Sequence, residues 1–240
     1  MALILNLETA TTVCSVALAK DGHLLAFKEQ NGDYSHAENL TLFIEDVFQQ
    51  AKIKLQDVDA IAVSKGPGSY TGLRIGVSTA KGLCYSLNKP LIAINTLEHL
   101  SMSVSKNLNS QNPDLPSVFC PMLDARRMEV YCALYDSEMH PLYPTSAEII
   151  DEYFLDKILT LSGRGKEELC IYFFGDGAAK CKTILSADKN AIFIDNIVPS
   201  AKNMISFSEQ SFINKQFEDV AYFEPFYLKD FVAGKKKMNS

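Results

Sequence analysis

The stretch Ser64-Lys65-Gly66-Pro67-Gly68-Ser69-Tyr70-Thr71-Gly72-Leu73-Arg74-Ile75-Gly76 decides how this 240-residue chain folds. Three apolar residues, 61–63, precede it, so the pattern predicts a buried strand, a glycine-proline turn and then a helix. A helix N-terminus favours anions, because its N–H groups and the positive end of its dipole face outward. A phosphate-binding loop, however, requires Lys and Ser or Thr directly after its last glycine, and Leu73 and Arg74 follow Gly72 here. The stretch therefore predicts a strand–turn–helix unit without Walker-type nucleotide binding.

The small residues of this helix recur every fourth position, at Gly72, Gly76 and Ala80, and so share one face. Each glycine costs about 1 kcal/mol of helix propensity relative to alanine, so another contact must offset it. Two interpretations stay open, which are packing against the chain's own sheet and close approach of a partner helix.

The amino-acid composition limits the classes of protein to which this chain can belong. Hydrophobic residues make up 47% of the chain and the net charge is −6, as in one large globular domain or two small ones. We expect a cytoplasmic protein, since no apolar run could span a membrane and no basic region precedes the N-terminal apolar stretch. The mild negative charge argues against broad nucleic-acid binding. Lys235–Lys237 are a local exception, either a solvated end or a contact with RNA phosphate.

Common catalytic and metal-binding signatures are absent from the sequence. The six cysteines form no Cys-x-x-Cys pair, which argues against a zinc site and a disulfide framework and favours small core residues. There is no Gly-x-Ser-x-Gly motif, activated Cys–His pair or His-Glu-x-x-His helix, so a peptidase is disfavoured.

Hydrophobic periodicity predicts the same order of elements twice, βββαβαβα. The first half is predicted as strands 2–7, 13–19 and 23–28, helix 38–51, strand 58–63, helix 70–87, strand 91–94 and helix 96–104. The polar segment 106–116 marks a boundary. The second half is predicted as strands 117–123 and 128–135, a third strand near Leu142, helix 147–159, strand 170–174, helix 177–185, strand 192–194 and helix 201–214. The chain is therefore predicted as an α/β protein of two duplicated lobes, 1–105 and a reduced 117–228, with a flexible basic tail at 229–240.

Motifs spread along the chain accompany this order of elements: Ile4–Thr11, Ser15–Leu18, Ser35–Leu40, Gly66–Gly76, Ala80–Leu83, Asp124–Tyr131, Gly175–Ala178 and Pro225–Leu228. In them the chain resembles the TsaB family, also called YeaZ, of the actin–hexokinase–Hsp70 superfamily. The resemblance implies two actin-like, ribonuclease H-like lobes.

The resemblance also implies a function in making N6-threonylcarbamoyladenosine at position 37 of tRNAs that read codons beginning with A. In this family the chain would be a non-catalytic, dimerising and activating subunit, with no catalytic residues and no cofactor of its own. The implied partners are the catalytic paralogue TsaD, the ATPase TsaE and tRNA within the complex, with ATP or ADP and a metal ion in the partner subunits. The free protein is expected to be capable of forming a homodimer.

The metal site of the catalytic paralogue is not expected here. The resemblance places its His-x-x-x-His ligand pair on the helix after the fifth strand, where this chain has Thr96 and Leu100. His99 stands alone, and a stable site normally has three or four ligands. We therefore expect His99 to be a surface or partly buried structural residue.

Helices 38–51 and 70–87 are predicted to pack against the equivalent helices of the paralogue, with the glycine face allowing close approach. On this hypothesis Gly76→Leu would abolish the heterodimer and leave the monomer folded. The predicted interface residues are Leu40, Phe43, Val47, Tyr70, Gly72, Leu73, Arg74, Gly76, Val77, Ala80 and Leu83.

A residual phosphate or nucleotide site is the remaining candidate, at Glu8, Asp124 and Arg126 near the ends of the first strand of each half. Local alternatives are turn chemistry for Glu8 and an internal Asp124–arginine ion pair. Asp176 is expected to cap the helix that comes after it. The rival function is an ATP-dependent small-molecule kinase or ATPase whose Glu8 and Asp124 hold magnesium.

Overall fold

A computed structural model shows two lobes, each built on a five-stranded mixed sheet. It describes residues 2–32, 36–108, 116–163, 165, 169–186 and 188–229. The first half contains β1 (Leu3–Glu8), β2 (Val13–Lys20), β3 (His23–Asn31), α1 (His36–Ala51), β4 (Ala60–Gly66), α2 (Tyr70–Leu87), β5 (Leu91–Asn95) and α3 (Thr96–Leu108). The second contains β6 (Ser117–Asp124), β7 (Glu129–Tyr135), β8 (Pro141–Ile149), α4 (Phe154–Ser162), β9 (Cys170–Phe174), α5 (Ala178–Leu185), β10 (Ala191–Ile194) and α6 (Ile205–Ile213). Short 3-10 turns lie at Leu55–Asp57 and Ala201–Met204.

The two sheets have the same topology. Their strand orders are β3-β2-β1-β4-β5 and β8-β7-β6-β9-β10. In each sheet the first strand pairs antiparallel with the second and parallel with the fourth. The duplicated order βββαβαβα is therefore confirmed.

The reduction predicted for the second lobe affects its helices and not its sheet. Helices α4 and α5 have 9 and 8 residues, against 16 and 18 in α1 and α2. The predicted helix 147–159 is wrong at its start, because Ala147 pairs with Tyr131 and extends β8 to Ile149. The helix begins only at Phe154.

The last helix of each half packs against the sheet of the other half. On one face of the first sheet, α1 and α2 cover Leu5 and Leu7 with residues such as Phe43. On the other face, the 3-10 turn Ala201–Met204 and α6 pack against β1, β4 and β5. Helix α3 in turn packs Leu97, Leu100 and Val104 against Phe119 and Tyr172 of the second sheet. The contacts of these helices therefore do not follow the predicted limits 1–105 and 117–228.

The segment after α6 returns across the first lobe. The Glu218 N–H donates to the Leu91 carbonyl at 2.9 Å, and the Phe226 N–H donates to the Lys65 carbonyl at 2.7 Å. Val220 and Phe223 pack on the first core, and Lys229 forms an ion pair with Glu129 of the second lobe. Residues 230–240, with the predicted tail and its three lysines, lie outside the described part, as do 109–115 of the predicted boundary. No helix in the described ranges is long and apolar enough to cross a membrane.

Candidate functional site between the lobes and on the first helices

A cleft of about 320 Å³ opens between the lobes, where the carboxyl ends of β1 and β6 meet the N-terminus of α2. Its walls come from the β1–β2 turn, the loop before α2, and the loops after β6 and β9. The lining residues are Ala10, Thr11, Thr12, Gly32, His36, Gly68, Ser69, Leu123, Asp124 and Asp176.

Glu8 does not reach this cleft. Its carboxylate is fully buried and accepts hydrogen bonds from the Ala10 N–H at 2.6 Å and the Ser64 hydroxyl at 2.8 Å. The other carboxylate oxygen lies 2.7 Å from Nε2 of His99, within hydrogen-bond distance. The proposed phosphate-site role of Glu8 is therefore wrong, and the turn-chemistry alternative describes it better.

The turn Thr9–Thr12 holds the N-terminal ends of both first-lobe helices. The Thr9 hydroxyl donates to the Gly72 carbonyl at 2.8 Å, and the Ser69 N–H donates to the Ala10 carbonyl at 2.6 Å. His36, the first residue of α1, donates from Nε2 to the Thr11 carbonyl at 2.7 Å.

The glycine face of α2 receives this turn. A Cβ added at Gly72 would overlap the Thr9 carbonyl oxygen, and one at Gly76 would overlap the Thr9 hydroxyl. The first of the two interpretations of the glycines, packing against the chain's own sheet, is confirmed only in part, because Gly76 faces Val63 of β4 but both glycines lie closest to the turn after β1. The expectation that Gly76→Leu leaves the monomer folded is therefore wrong, because the side chain would have to displace the turn.

Most of the predicted interface residues belong to the first lobe's own core. Tyr70 stacks on Tyr227 of the returning segment, with ring centroids 4.8 Å apart. Arg74 is exposed, and its guanidinium lies 5.2 Å from the Tyr70 ring centroid. Leu83 is half-buried against the core. The predicted interface residues that are buried and so cannot meet a partner are Leu40, Phe43, Val47, Gly72, Leu73, Gly76, Val77 and Ala80.

The opposite faces of the same helices are open. Tyr85 is 86% exposed and Leu42 is 57% exposed, which are high values for such large side chains. A Cβ added at Gly82 would meet nothing within 4 Å. Beside Leu42, a groove of about 510 Å³ runs along α1, lined by Thr41, Ile44, Glu45, Phe48, Gln49, Lys52, Ile53 and Leu55.

Asp124 is the acidic group of the predicted phosphate site that does face the cleft. Its side chain is 52% exposed and forms an ion pair with Lys180. It also accepts the Arg126 N–H at 2.7 Å. Desolvation opposes ionisation, but Lys180 and Arg126 outweigh it and hold the pKa of Asp124 below its usual value. The predicted internal ion pair exists with Lys180 instead of an arginine, and the Arg126 side chain is exposed on a backbone with φ 72°.

Asp176 contributes the second carboxylate of the cleft. It accepts the Asp124 N–H at 3.0 Å and so joins the ends of β6 and β9. Partial desolvation of its carboxyl group, and then the neighbouring Asp124 charge, raise the pKa of Asp176, although the residue as a whole is exposed. Its predicted capping role is wrong, because Gly177 is the N-cap residue of α5 and no side chain caps that helix.

A metal site of the kind that the resemblance implies for a catalytic relative does not fit the corresponding positions here. Thr96 and Leu100 lie one turn apart on α3, both fully buried, and Leu100 offers no donor atom. His99 is fully buried too, deeper than predicted, and faces Glu8. Within the described ranges, no three His, Cys, Asp or Glu side chains are placed to hold a metal ion.

Two features of this region could not be found from the sequence, the Glu8–His99 pair and the His36 contact to the turn. The paired residues of the first are 91 positions apart and those of the second 25, so no local spacing signals them. The one available signal is that residues 6 and 8 share a strand face, which does not identify the partner of Glu8.

Comparisons with known proteins agree with this architecture. A family model described as TsaD, tRNA N6-adenosine threonylcarbamoyltransferase, matches residues 31–237. The tRNA threonylcarbamoyladenosine biosynthesis protein TsaB of Escherichia coli (strain K12) is 30% identical over 238 residues, which are 97% of either chain. The solved structure of YeaZ from Pseudomonas aeruginosa covers 95% of this chain and 100% of its own, with 24% identity and a TM-score of 0.77. An inorganic polyphosphate/ATP-glucomannokinase from Arthrobacter shares only the fold, with 9% identity, coverage of 89% and 100%, and a TM-score of 0.53. The chain therefore belongs to the TsaB (YeaZ) family of tRNA threonylcarbamoyladenosine biosynthesis proteins.

Proposed function

We propose that this chain is the non-catalytic subunit that dimerises with the catalytic paralogue TsaD and activates it. The complex transfers the threonylcarbamoyl group to N6 of adenosine 37 in tRNAs reading codons that begin with A. TsaE and tRNA join the same assembly, and ATP or ADP and the metal ion are bound by the partner subunits. The complex works in the cytoplasm.

The observation that carries the non-catalytic role is the state of the candidate acids. Glu8 is buried and saturated by Ala10, Ser64 and His99, and Asp124 is neutralised by Lys180. A magnesium ion that binds phosphates needs accessible carboxylate oxygens. Both Glu8 oxygens are buried and hydrogen-bonded, and Lys180 and the Arg126 N–H occupy one oxygen of Asp124. Leu100 likewise replaces a ligand of the paralogue with an aliphatic side chain.

The outer faces of α1 and α2 are the surface we propose for the paralogue. They belong to the two helices predicted from the sequence. Arg74 is kept from the predicted interface residues, and Leu42 and Tyr85 replace those that are buried. Tyrosine and arginine are enriched among the residues that dominate interface energetics. Gly82, in open space between them along α2, would let a partner backbone approach closely. We also propose that the free protein self-associates through this surface.

The test has two parts. In the first, modification of tRNA is measured in a reconstituted mixture from which each subunit is omitted in turn. We expect activity to disappear without this chain and also without the paralogue, and no turnover from this chain alone. Modification that survives omission of this chain would refute the activating role.

In the second part, affinity for the paralogue is compared between Tyr85→Ala and Tyr153→Ala. Tyr153 is a matched control, since it is 66% exposed and lies in the second lobe. We expect Tyr85→Ala to weaken binding about tenfold or more, as at an interface hot spot, and Tyr153→Ala to have no effect. Equal affinities would exclude the outer face of α2.

Calorimetric titration of the isolated chain with ATP and magnesium separates this proposal from the kinase or ATPase alternative. We expect no heat of binding at millimolar nucleotide. Micromolar affinity together with turnover would favour the enzyme and contradict the scaffold.

A further inference from the structure

The turn after β1 contacts the N-terminal parts of α1 and α2 on the side away from the outer faces proposed as the interface. The Thr9 carbonyl and hydroxyl lie against α2 at Gly72 and Gly76. The His36 ring, at the start of α1, also lies against Gly72. The absence of a Cβ at Gly72 is thus what allows the turn and both helices to touch at a single point.

The hydrogen bonds of the buried Glu8 carboxylate also hold the turn in place. The Glu8 carboxylate binds the N–H of Ala10 inside the turn, Ser64 at the end of β4 and His99 on α3. Charge-assisted hydrogen bonds of this kind are stronger than neutral ones, and inside a protein they are little screened by water. The turn is therefore a rigid support against which the N-terminal ends of α1 and α2 are placed.

Glu8 and Thr9 are both fully buried, so neither can touch a partner subunit. An interface made of two helices nevertheless depends on the distance and angle between them, because protein interfaces are packed as closely as interiors. Residues that set this angle act on binding without contact.

We propose that the turn Thr9–Thr12 positions α1 and α2 for partner binding, with Thr9 and His36 as positioning residues. This inference rests on the proposed function for its consequence, partner affinity, but not for the ordering of the two helices in the free chain. It also assigns a purpose to Gly72 and Gly76, which is to admit the turn and not the partner.

The test uses the full chain with Thr9→Val, which removes the hydroxyl at nearly constant volume, and Thr9→Ser, which keeps it. Ile158→Val in the second lobe's core serves as a control for general loss of stability, because Ile158 is fully buried far from the turn along the chain. Two quantities are measured for each variant, the affinity for the paralogue and backbone amide exchange over residues 36–44 and 70–77 of the free chain.

We expect Thr9→Val to weaken affinity about five- to tenfold and to accelerate exchange in both segments, a coupling of the usual size between linked sites. Thr9→Ser should restore both values to within about twofold, and Ile158→Val should change neither. Equal affinity and equal exchange for the Val and Ser variants would overturn the inference. An equal loss of affinity in Ile158→Val would also overturn it, because the effect would then be one of general stability.

If Thr9→Val does not fold, His36→Ala replaces it, since His36 is partly exposed and its loss threatens the core less. His36→Gln is then the conservative control, as its amide can still donate to the Thr11 carbonyl. If the unmodified chain does not bind the paralogue, the proposed function fails. The exchange comparison then decides the role of the turn alone, and unchanged exchange over 36–44 and 70–77 overturns it.

Discussion

Glu8 and Asp124 occupy equivalent places, each at the end of the first strand of its sheet, yet they have opposite surroundings. Glu8 is fully buried and bound to a histidine, a serine and a backbone N–H. Asp124 is half-exposed and bound to a lysine and a backbone N–H. The two lobes therefore share the strand and its turn, and they differ in the helix that supplies a partner to the acid, which is α3 with His99 for Glu8 and α5 with Lys180 for Asp124.

In both lobes, glycines pack against the chain at the end of the first strand. In the first lobe, glycines at 68 and 72 lie against Ala10 and Thr9, and in the second, Gly175 and Gly177 lie against Met122 and Leu123. Both lobes thus place small residues where a helix-loop segment meets the end of the first strand. The lobes differ in the adjacent helices. The first-lobe turn contacts the long helices α1 and α2, whose outer faces are exposed, whereas α5 beside the second-lobe turn has 8 residues.

The largest difference between the two acids is expected on truncation. Glu8→Ala would leave His99, Ser64 and the Ala10 N–H buried without their partner, at a cost of about 3–5 kcal/mol, as for other broken buried pairs. Asp124→Ala should cost about 1 kcal/mol or less, because its partners can turn to water. Urea unfolding of both variants measures the two free energies, and similar values would contradict the contrast between the sites.

The variants Gly72→Ala and Gly177→Ala test how tightly these glycines pack in each lobe. The new Cβ at Gly72 would overlap a backbone carbonyl, and the one at Gly177 would lie 2.8 Å from the Leu123 carbonyl carbon. We expect both to destabilise the chain by about 1–3 kcal/mol through overpacking, with Gly72 the more sensitive. Thermal unfolding ranks them, and tolerance of Gly72→Ala would mean that the turn does not press on α2.

Gly82→Ala is the matched change on the other face of α2. Nothing lies within 4 Å of the added methyl group, so only helix propensity changes. We expect a gain of about 0.5–1 kcal/mol in the free energy of unfolding. If affinity for the paralogue falls although stability rises, the outer face needs the glycine for close approach.

The smallest effect concerns the pH dependence of the Asp124–Lys180 pair. The folded-state pKa of Asp124 is lowered from 3.8, so the pair stabilises the fold above that pH and stops doing so as the pH falls through the lowered value. Asp124→Asn should therefore cost a few tenths of a kcal/mol, about 0.5 at most, near neutral pH. Below the lowered pKa this cost should vanish. Unfolding of both proteins from pH 7 to pH 2 measures it, and a cost that persists in acid would assign it to packing.

Much of the fold could be predicted because residues close to each helix or strand determine where that element begins and ends. Helix α2 runs over Tyr70–Leu87 as predicted, since Ser69 accepts the Gly72 N–H at its start and Asn88 takes a left-handed conformation at its end. Strand β8 could not be predicted in full, because Ala147 to Ile149 suit a helix and become a strand only by pairing with β7.

The candidate site was harder to predict than the fold for a related reason. Helical spacing identified the flat face of Gly72 and Gly76, but periodicity cannot say what covers a face. Its cover, Thr9, is 63 residues away from Gly72 and lies in another element. Lys180, the partner of Asp124, is 56 residues away from it. Contacts of this range are fixed by sheet topology, which the element order alone leaves open.

The return of the chain across the first lobe constrains how the molecule is made. Apolar residues on one face of the first sheet stay uncovered until Ala201–Met204 and α6 have been synthesised, and Lys81 finds its two carbonyl acceptors only at Ala221 and Phe223. During translation the N-terminal half therefore emerges long before it can finish folding, at the risk that exposed strands associate with other chains. The two halves are expected to mature together and not one after the other, and residues 2–108 produced alone should aggregate.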